Sequence, residues 1–248
     1  MATGLRMAEI VKPAVDLIYP PRCPICGDAI GAQNGVCVAC WSELELPTQT
    51  GCASCGRPID GYDAVGSPHC ARCLANPPQH DGIISATVYN DASRKLVLAF
   101  KHGRRIALAK MFGRLMAGRL TELGDDWIFV PVPLHRFRLW YRGFNQAALL
   151  AQEIARIRKQ QVVVDGLFRR KATRTLGGLG RKTRERTLKG AITINPRRRE
   201  TIRSANIILV DDVLTSGATS NACVQALKSA GANKVIISCF ARVGQDSM

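Results

Sequence analysis

Apolar residues fall along this chain in short unbroken runs and in helical stripes, and the alternation of the two predicts its architecture. Ile207-Ile208-Leu209-Val210 is a run too short for a buried helix and rich in β-branched types, as a strand buried on both faces would be. The run stops within one residue at Asp211-Asp212, and Val213-Leu214-Thr215-Ser216-Gly217-Ala218-Thr219 follows. Ala218–Gly231 then sets Ala222, Cys223, Ala226 and Leu227 at helical spacing. The same order recurs upstream. Residues 83–89, 127–133, 162–169, 191–194 and 234–243 read as strands; residues 93–101 and 106–123 read as helices. Gly143 opens a further helix with Ala147, Leu150, Ile154 and Ile157 on its apolar face. Strands alternating with helices predict an α/β fold with a parallel sheet over residues 81–248, joined by right-handed crossovers.

The loop after residue 210 carries the chemistry. Backbone N–H groups of Thr215–Thr219 can converge on an anion at a helix N-terminus, where the helix dipole favours negative charge. Gly217 allows an unusual φ and close approach, and the hydroxyls of Thr215, Ser216 and Thr219 add donors. Asp211 and Asp212 are acceptors suited to a vicinal diol or to waters on a divalent cation. A phosphate loop beside diol acceptors suits a ribose 5-phosphate. No Gly-Lys-Ser/Thr follows, so this is not a Walker loop.

Residues 1–76 have a different character. Four CxxC pairs, Cys23/Cys26, Cys37/Cys40, Cys52/Cys55 and Cys70/Cys73, account for eight of the ten cysteines. Gly27 and Gly56 follow the first and third pairs, as in zinc knuckles. Joining neighbouring knuckles orders less chain than interleaving them, so the predicted Cys₄ sites are Cys23/Cys26/Cys37/Cys40 and Cys52/Cys55/Cys70/Cys73, each a closed structural zinc site. An iron–sulfur cluster would use the same thiolates, and disulfides would need an oxidising compartment. Few large apolar residues lie here, so metal would supply much of the folding free energy. A short helix is expected before the first knuckle, and Asn76–His80 reads as a linker. Cys223 and Cys239 read as small buried apolar residues.

Charge sharpens the division. The chain carries a formal net charge of +16, yet residues 1–80 hold five Lys/Arg against seven Asp/Glu, so the phosphate-loop domain carries the whole excess at +18. Polyanions are the expected partners, whether pyrophosphate groups or a nucleic-acid backbone; a solvated basic surface is the alternative. No run of eighteen apolar residues occurs, so no membrane insertion is expected. The N-terminal stretch is interrupted by Lys12, Pro13 and Asp16 without a small-residue cleavage site, which argues against a signal peptide and for a cytoplasmic protein.

The apolar strand, Asp-Asp and Thr-Ser-Gly-x-Thr resemble the phosphoribosyl pyrophosphate (PRPP) motif of type I phosphoribosyltransferases. With the CxxC pairs, with Val130–Leu134 as "VPVPL" and with Arg142–Ala147 as "RGFNQA", nearly the whole chain resembles the ComF family of competence-associated, phosphoribosyltransferase-like proteins. The resemblance implies a double zinc ribbon before a phosphoribosyltransferase-like domain that binds PRPP with Mg²⁺ in DNA uptake and natural transformation. It implies a PRPP-binding set of Val210, Asp211, Asp212, Thr215, Ser216, Gly217, Ala218 and Thr219, with Val132 and Pro133 in the strand exit before a pyrophosphate loop at 131–142. Lys101, at the end of an "LxxxLK"-like helix, would lie near the ligand, although a helix-end charge explains it equally. Catalytic roles would fall to Asp211, Asp212, Lys101 and Arg142 if transfer occurs; no acceptor is visible. Residues 170–190 stand where such enzymes have a mobile lid, with Arg174, Arg181, Lys182 and Arg184 as its charge and as a surface for single-stranded DNA. Leu176 and Thr187 depart from the glutamine and asparagine usual there, which puts the contacts of those amides in doubt. Two other readings stand beside the enzyme: a single-stranded DNA-binding module, and an adaptor whose ribbons dock a helicase-like partner.

Overall fold

The computed structural model describes residues 16–47, 51–52, 54–56, 69–103, 105–170 and 190–244. Its centre is a parallel sheet. In chain order the strands are β1 (Gly82–Val88), β2 (Trp127–Pro131), β3 (Leu167–Arg169), β4 (Ile192–Ile194), β5 (Asn206–Leu214) and β6 (Lys234–Arg242). Four of them form the sheet in the order β1-β6-β5-β2, all parallel, while β3 and β4 make a separate antiparallel pair. A lone parallel bridge between Phe129 and Val162 extends the sheet beyond β2. The helices that matter for the site are α1 (Asp91–Lys101), α2 (Leu108–Gly118), α3 (Arg136–Arg142), α4 (Gln146–Arg158) and α5 (Ala218–Ser229).

The pleat of β5 divides the core into two layers. Ile208 and Val210 join α1, α2 and α4 through Leu96, Phe100, Phe112, Leu150 and Ile154. Ile207 and Leu209 point the other way, to Cys223, Val224 and Leu227 of α5. Helices therefore cover both faces, which is why β5 reads as a continuous apolar run. Phe112 of α2 stacks on Phe240 of β6 with centroids 3.6 Å apart, tying the first layer to the sheet. Asn90 caps α1 in a reciprocal box with Ser93 and also donates from its side chain to the Glu43 carbonyl at 2.8 Å, which links the cap to the ribbon.

The cysteine-rich segment leans on this domain through a few specific contacts. Leu44 enters the first core layer. The Val88 N–H donates to the Glu45 carbonyl at 2.8 Å, so part of the β1 edge is paired. Gly56 has φ +63°, and a Cβ there would stand 2.7 Å from the Ile83 carbonyl oxygen; only glycine lets the third knuckle approach β1.

Three expected elements differ in extent. Residues 131–142, read as a loop, contain α3, which starts at an N-cap by the His135 ring and ends at Gly143 with φ +80°. None of its seven residues is buried, so it leaves no apolar stripe for periodicity to reveal. The strand expected over 162–169 is only Leu167–Arg169, preceded by the isolated bridge at Val162. β5 runs on to Leu214, with Asp211 opposite Cys239 and Leu214 opposite Arg242, so the two carboxylates lie inside the ladder and not beyond it. The helix expected before the first knuckle falls mostly in residues 1–15, outside the described residues.

Candidate functional site

Strand alternation places the paired carboxylates on opposite faces of β5. Asp212 follows Ile208 and Val210 toward the first layer, where its Oδ1 lies 2.8 Å from Lys101 Nζ at the end of α1. Asp211 follows Ile207 and Leu209 toward α5 and accepts from Ser220 Oγ at 3.4 Å. The Asp211 carboxylate also accepts from the Asp212 N–H at 2.9 Å. Burial first, and then the neighbouring Asp212, push the Asp211 carboxyl up to about 7, against the pull of Lys101. Lys101 is thus both a helix-end cation and a direct partner of Asp212.

Both carboxylates open into one cleft of about 460 Å³ at the carboxyl ends of β2 and β5. Its lining includes Lys101, Val132, Pro133, Arg138, Arg142, Asp211, Asp212, Thr215, Ser216, Gly217, Ala218 and Thr219. The volume lies in the range of small-molecule sites. Gly217 takes φ +74° as the N-cap of α5 and uses no side chain to cap it, so the turn from β5 into α5 closes without a competing side chain. The first-turn N–H groups of α5 face outward at the positive end of the helix dipole. On the opposite wall Asn145 holds the strand exit by donating to the Val132 carbonyl at 3.1 Å while capping α4 at Ala147. Arg142 donates to Gln146 Oε1 at 3.3 Å; burial lowers its guanidinium from the ordinary value and Asp212 works against that shift.

One expected member stands apart. Val210 is fully buried beneath the cleft and contributes its carbonyl to the Val132 N–H at 2.9 Å, a ladder role and not a wall of the site. Arg174, Arg181, Lys182 and Arg184 lie outside the described residues, as do Leu176 and Thr187. The cleft also includes residues that the sequence did not single out. Tyr89 lines it, and so does Arg169 from the end of β3, beside Asn145 and Gln146 of the RGFNQA stretch. Burial, followed by Arg138, lowers the Arg169 guanidinium, with Asp211 among the groups that oppose the shift. An arginine closing a strand beside a basic segment was the available signal, but charge is common there.

The two cysteine sets gather as grouped from the sequence. The sulfurs of Cys23, Cys26, Cys37 and Cys40 lie within 4.8 Å of one another, and so do those of Cys52, Cys55, Cys70 and Cys73. Cys26 and Cys37 sulfurs are 3.6 Å apart and those of Cys55 and Cys70 are 3.8 Å apart. A zinc tetrahedron with arms of about 2.3 Å has edges of about 3.8 Å, so each set fits one ion. A cluster with bridging sulfides would hold its ligands farther apart, and all ten cysteines are free of disulfides. Each knuckle turns tightly, with the Gly27 N–H on the Cys23 carbonyl and the Gly56 N–H on that of Cys52. Burial opposes ionisation, yet N–H groups of Cys26, Cys37 and Ile25 bring the Cys23 thiol down to about 6. Cys52 is brought to about 6 against burial by Cys70, Cys55 and Ser54. The other thiols move the opposite way, with Cys26 up to about 11 and burial pushing Cys40 and Cys73 well above the ordinary thiol range, so a bound zinc would have to hold each set as thiolates.

Comparison with known proteins agrees with this geometry. Residues 14–75 match the double zinc ribbon domain family, and residues 143–248 match the phosphoribosyl transferase domain family. Competence protein F of Haemophilus influenzae is 30% identical over 228 residues, covering 89% of this chain and 96% of its own. The chain belongs to the ComF family. Another relative of this family member is the DNA utilization protein YhgH of Escherichia coli, 31% identical over 91% of this chain and 99% of its own. Competence protein ComFC of Bacillus subtilis is 28% identical over 79% of each chain. A purine phosphoribosyltransferase structure from Pyrococcus horikoshii overlaps 53% of the chain and 70% of its own at 16% identity, with a TM-score of 0.34, too loose an overlap to bear on function. The ComF-family chain thus combines a double zinc ribbon with a parallel-sheet phosphoribosyltransferase-type domain. No helix among the described residues is long and apolar enough to cross a membrane.

Proposed function

We propose that this ComF-family chain binds Mg²⁺–PRPP in the cleft and acts, with single-stranded DNA as a partner, in DNA uptake and use. The observation that carries the reading is the convergence of Asp211, Asp212, the Thr215–Thr219 turn and the Arg138/Arg142 wall on one cleft. In it, the 5-phosphate would sit on the α5 N-terminus and the ribose diol would meet the carboxylates. The pyrophosphate would lie toward Val132, Pro133, Arg138 and Arg142. Mg²⁺, entering with the pyrophosphate, would neutralise charge as that group departs. Asp212 keeps its acceptor oriented through Lys101, while the Asp211 carboxyl, pushed up to about 7, offers a charged acceptor only when ionised. If phosphoribosyl transfer takes place, these groups would stabilise an oxocarbenium-like ribose by preorganised charge. The names of the relatives, competence and DNA utilization, support the DNA context.

Calorimetric titration with Mg²⁺–PRPP tests the reading, with an Asp211→Ala/Asp212→Ala double variant as control. Wild type should bind and the double variant should bind far more weakly. Ribose 5-phosphate should bind more weakly than PRPP, since it lacks the pyrophosphate read by the arginine wall. Equal PRPP affinity in the wild-type and variant proteins would reject the site.

A further inference from the structure

The short helix α3 has two unlike faces, and only one of them belongs to the cleft. Arg138 and Arg142, one turn apart, line the cleft. At 100° per residue, Arg136, Phe137, Trp140 and Tyr141 fall together on the far side. Trp140 is 86% exposed, Tyr141 80% and Phe137 62%. Arg136 lies with its guanidinium carbon 5.4 Å from the Phe137 ring centroid, so a cation sits over one aromatic face while the other rings stand open. The helix carries no acidic residue and buries none of its seven side chains. Three neighbouring aromatics left in water mark an interaction surface more than a packing remnant.

The charge around the rings selects the occupant. An apolar protein groove would not favour an arginine laid against the rings on a helix without acidic residues, and a duplex would hide its base faces from them. A single strand offers both a phosphate chain for Arg136 and unstacked bases for the rings. The geometry points to the Phe137/Trp140/Tyr141 face of α3, with Arg136, as the stacking platform for single-stranded DNA. This rests on the DNA part of the reading above and places the strand at the rim of the PRPP cleft, on the back of the helix that carries the cleft's Arg138 and Arg142.

The test is fluorescence anisotropy with a labelled oligothymidylate of about twenty nucleotides, at several salt concentrations. Trp140→Ala/Tyr141→Ala should weaken binding about tenfold or more with an unchanged salt slope, because stacking and not charge is removed. Arg136→Ala should instead lower the slope by roughly 0.7, the signature of one lost phosphate contact. Trp140→Phe/Tyr141→Phe should bind nearly as wild type, since a ring face is kept; a loss equal to that of the alanine pair would overturn stacking. Unchanged binding by the alanine pair would overturn the platform, and tighter binding of an oligouridylate of the same length would overturn DNA as its occupant. A shift of the alanine pair to a smaller species in sedimentation, with DNA binding intact, would make this face a self-association surface and also overturn it. Failure of the wild type to bind the strand would sink the DNA part of the proposed function itself. PRPP calorimetry on the same alanine pair should be unchanged, which separates loss of the platform from loss of the cleft.

Discussion

The ribbon and the sheet domain are held together by different means. In the sheet domain, two layers of aliphatic and aromatic side chains sandwich β5 and β6, and residues such as Phe100, Phe112, Ile154, Leu209 and Phe240 are fully buried. Among the described residues of the ribbon the buried apolar side chains are Cys23, Cys40, Cys52, Cys55 and Leu44. Four of those five are metal ligands, and the fifth packs into the neighbouring domain. Val38 and Leu74 stay exposed where a ribbon with its own core would bury them. The contrast teaches that one chain can use apolar burial in one half and coordination in the other, and that each half should fail by its own route.

Chelation should give the largest effect. Structural zinc contributes an apparent folding free energy of about 10–16 kcal/mol in small metal-held units. Purified protein should carry about two zinc ions per chain, and stripping them should unfold the ribbon while most of the sheet-domain circular dichroism remains. Iron with sulfide in elemental analysis, or a folded metal-free ribbon, would break the comparison. The converse change is Phe112→Ala, which removes the ring stacked on Phe240 and should destabilise the sheet domain by about 3–5 kcal/mol. Denaturant unfolding should show the loss with zinc content unaltered; parallel loss of zinc would mean that the two halves fold as one.

His80 sits where the halves meet and gives a pH-dependent test. Burial first, and then Arg242, lower its imidazole to about 4, from an ordinary value of 6.5. The unfolded chain therefore binds a proton as the pH falls below about 6.5, and the folded chain resists until about 4. His80 thus makes stability fall as the pH drops through that window, by about 3 kcal/mol in total. His80→Phe should flatten this part of the pH–stability curve measured by thermal unfolding. An unchanged curve would show that another group governs it.

The smallest effects should fall on ligand affinity. Asp212→Ala removes a charged acceptor and should cost about 1.5–3 kcal/mol of PRPP binding, about tenfold or more. It also frees Lys101, so Lys101→Met should weaken binding less than Asp212→Ala does. Gly217→Val should be the more damaging loop change. A Cβ at Gly217 meets nothing closer than 3.8 Å, so its cost comes from φ +74° and not from crowding. Calorimetry should show PRPP binding weakened in all these variants with full zinc content. Loss of zinc from any of them would tie the ribbon to the cleft more closely than the contacts indicate.

Much of this organisation was legible in the order of residues. Cysteine pairing by neighbouring knuckles could be read because chain-closure cost depends on sequence separation, and the sulfurs gather in that grouping. The run Ile207–Val210 announced a strand covered on both faces, and the Thr215–Thr219 turn announced the start of a helix at its carboxyl end, because both signals are local. Three features depended on tertiary structure. Where β5 ends was decided by its pairing with β6 through Leu214, which keeps Asp211 and Asp212 inside the strand, so that being adjacent they point to opposite faces. α3 buries nothing, so hydrophobic periodicity had no stripe to detect; its caps, His135 and Gly143, became meaningful only in three dimensions. Arg169 and Tyr89 reach the cleft from β3 and from the end of β1, far apart in sequence, because strand order and crossovers bring those ends together. Local chemistry is written in neighbouring residues, whereas the meeting of distant strand ends is set by how the whole sheet is wound.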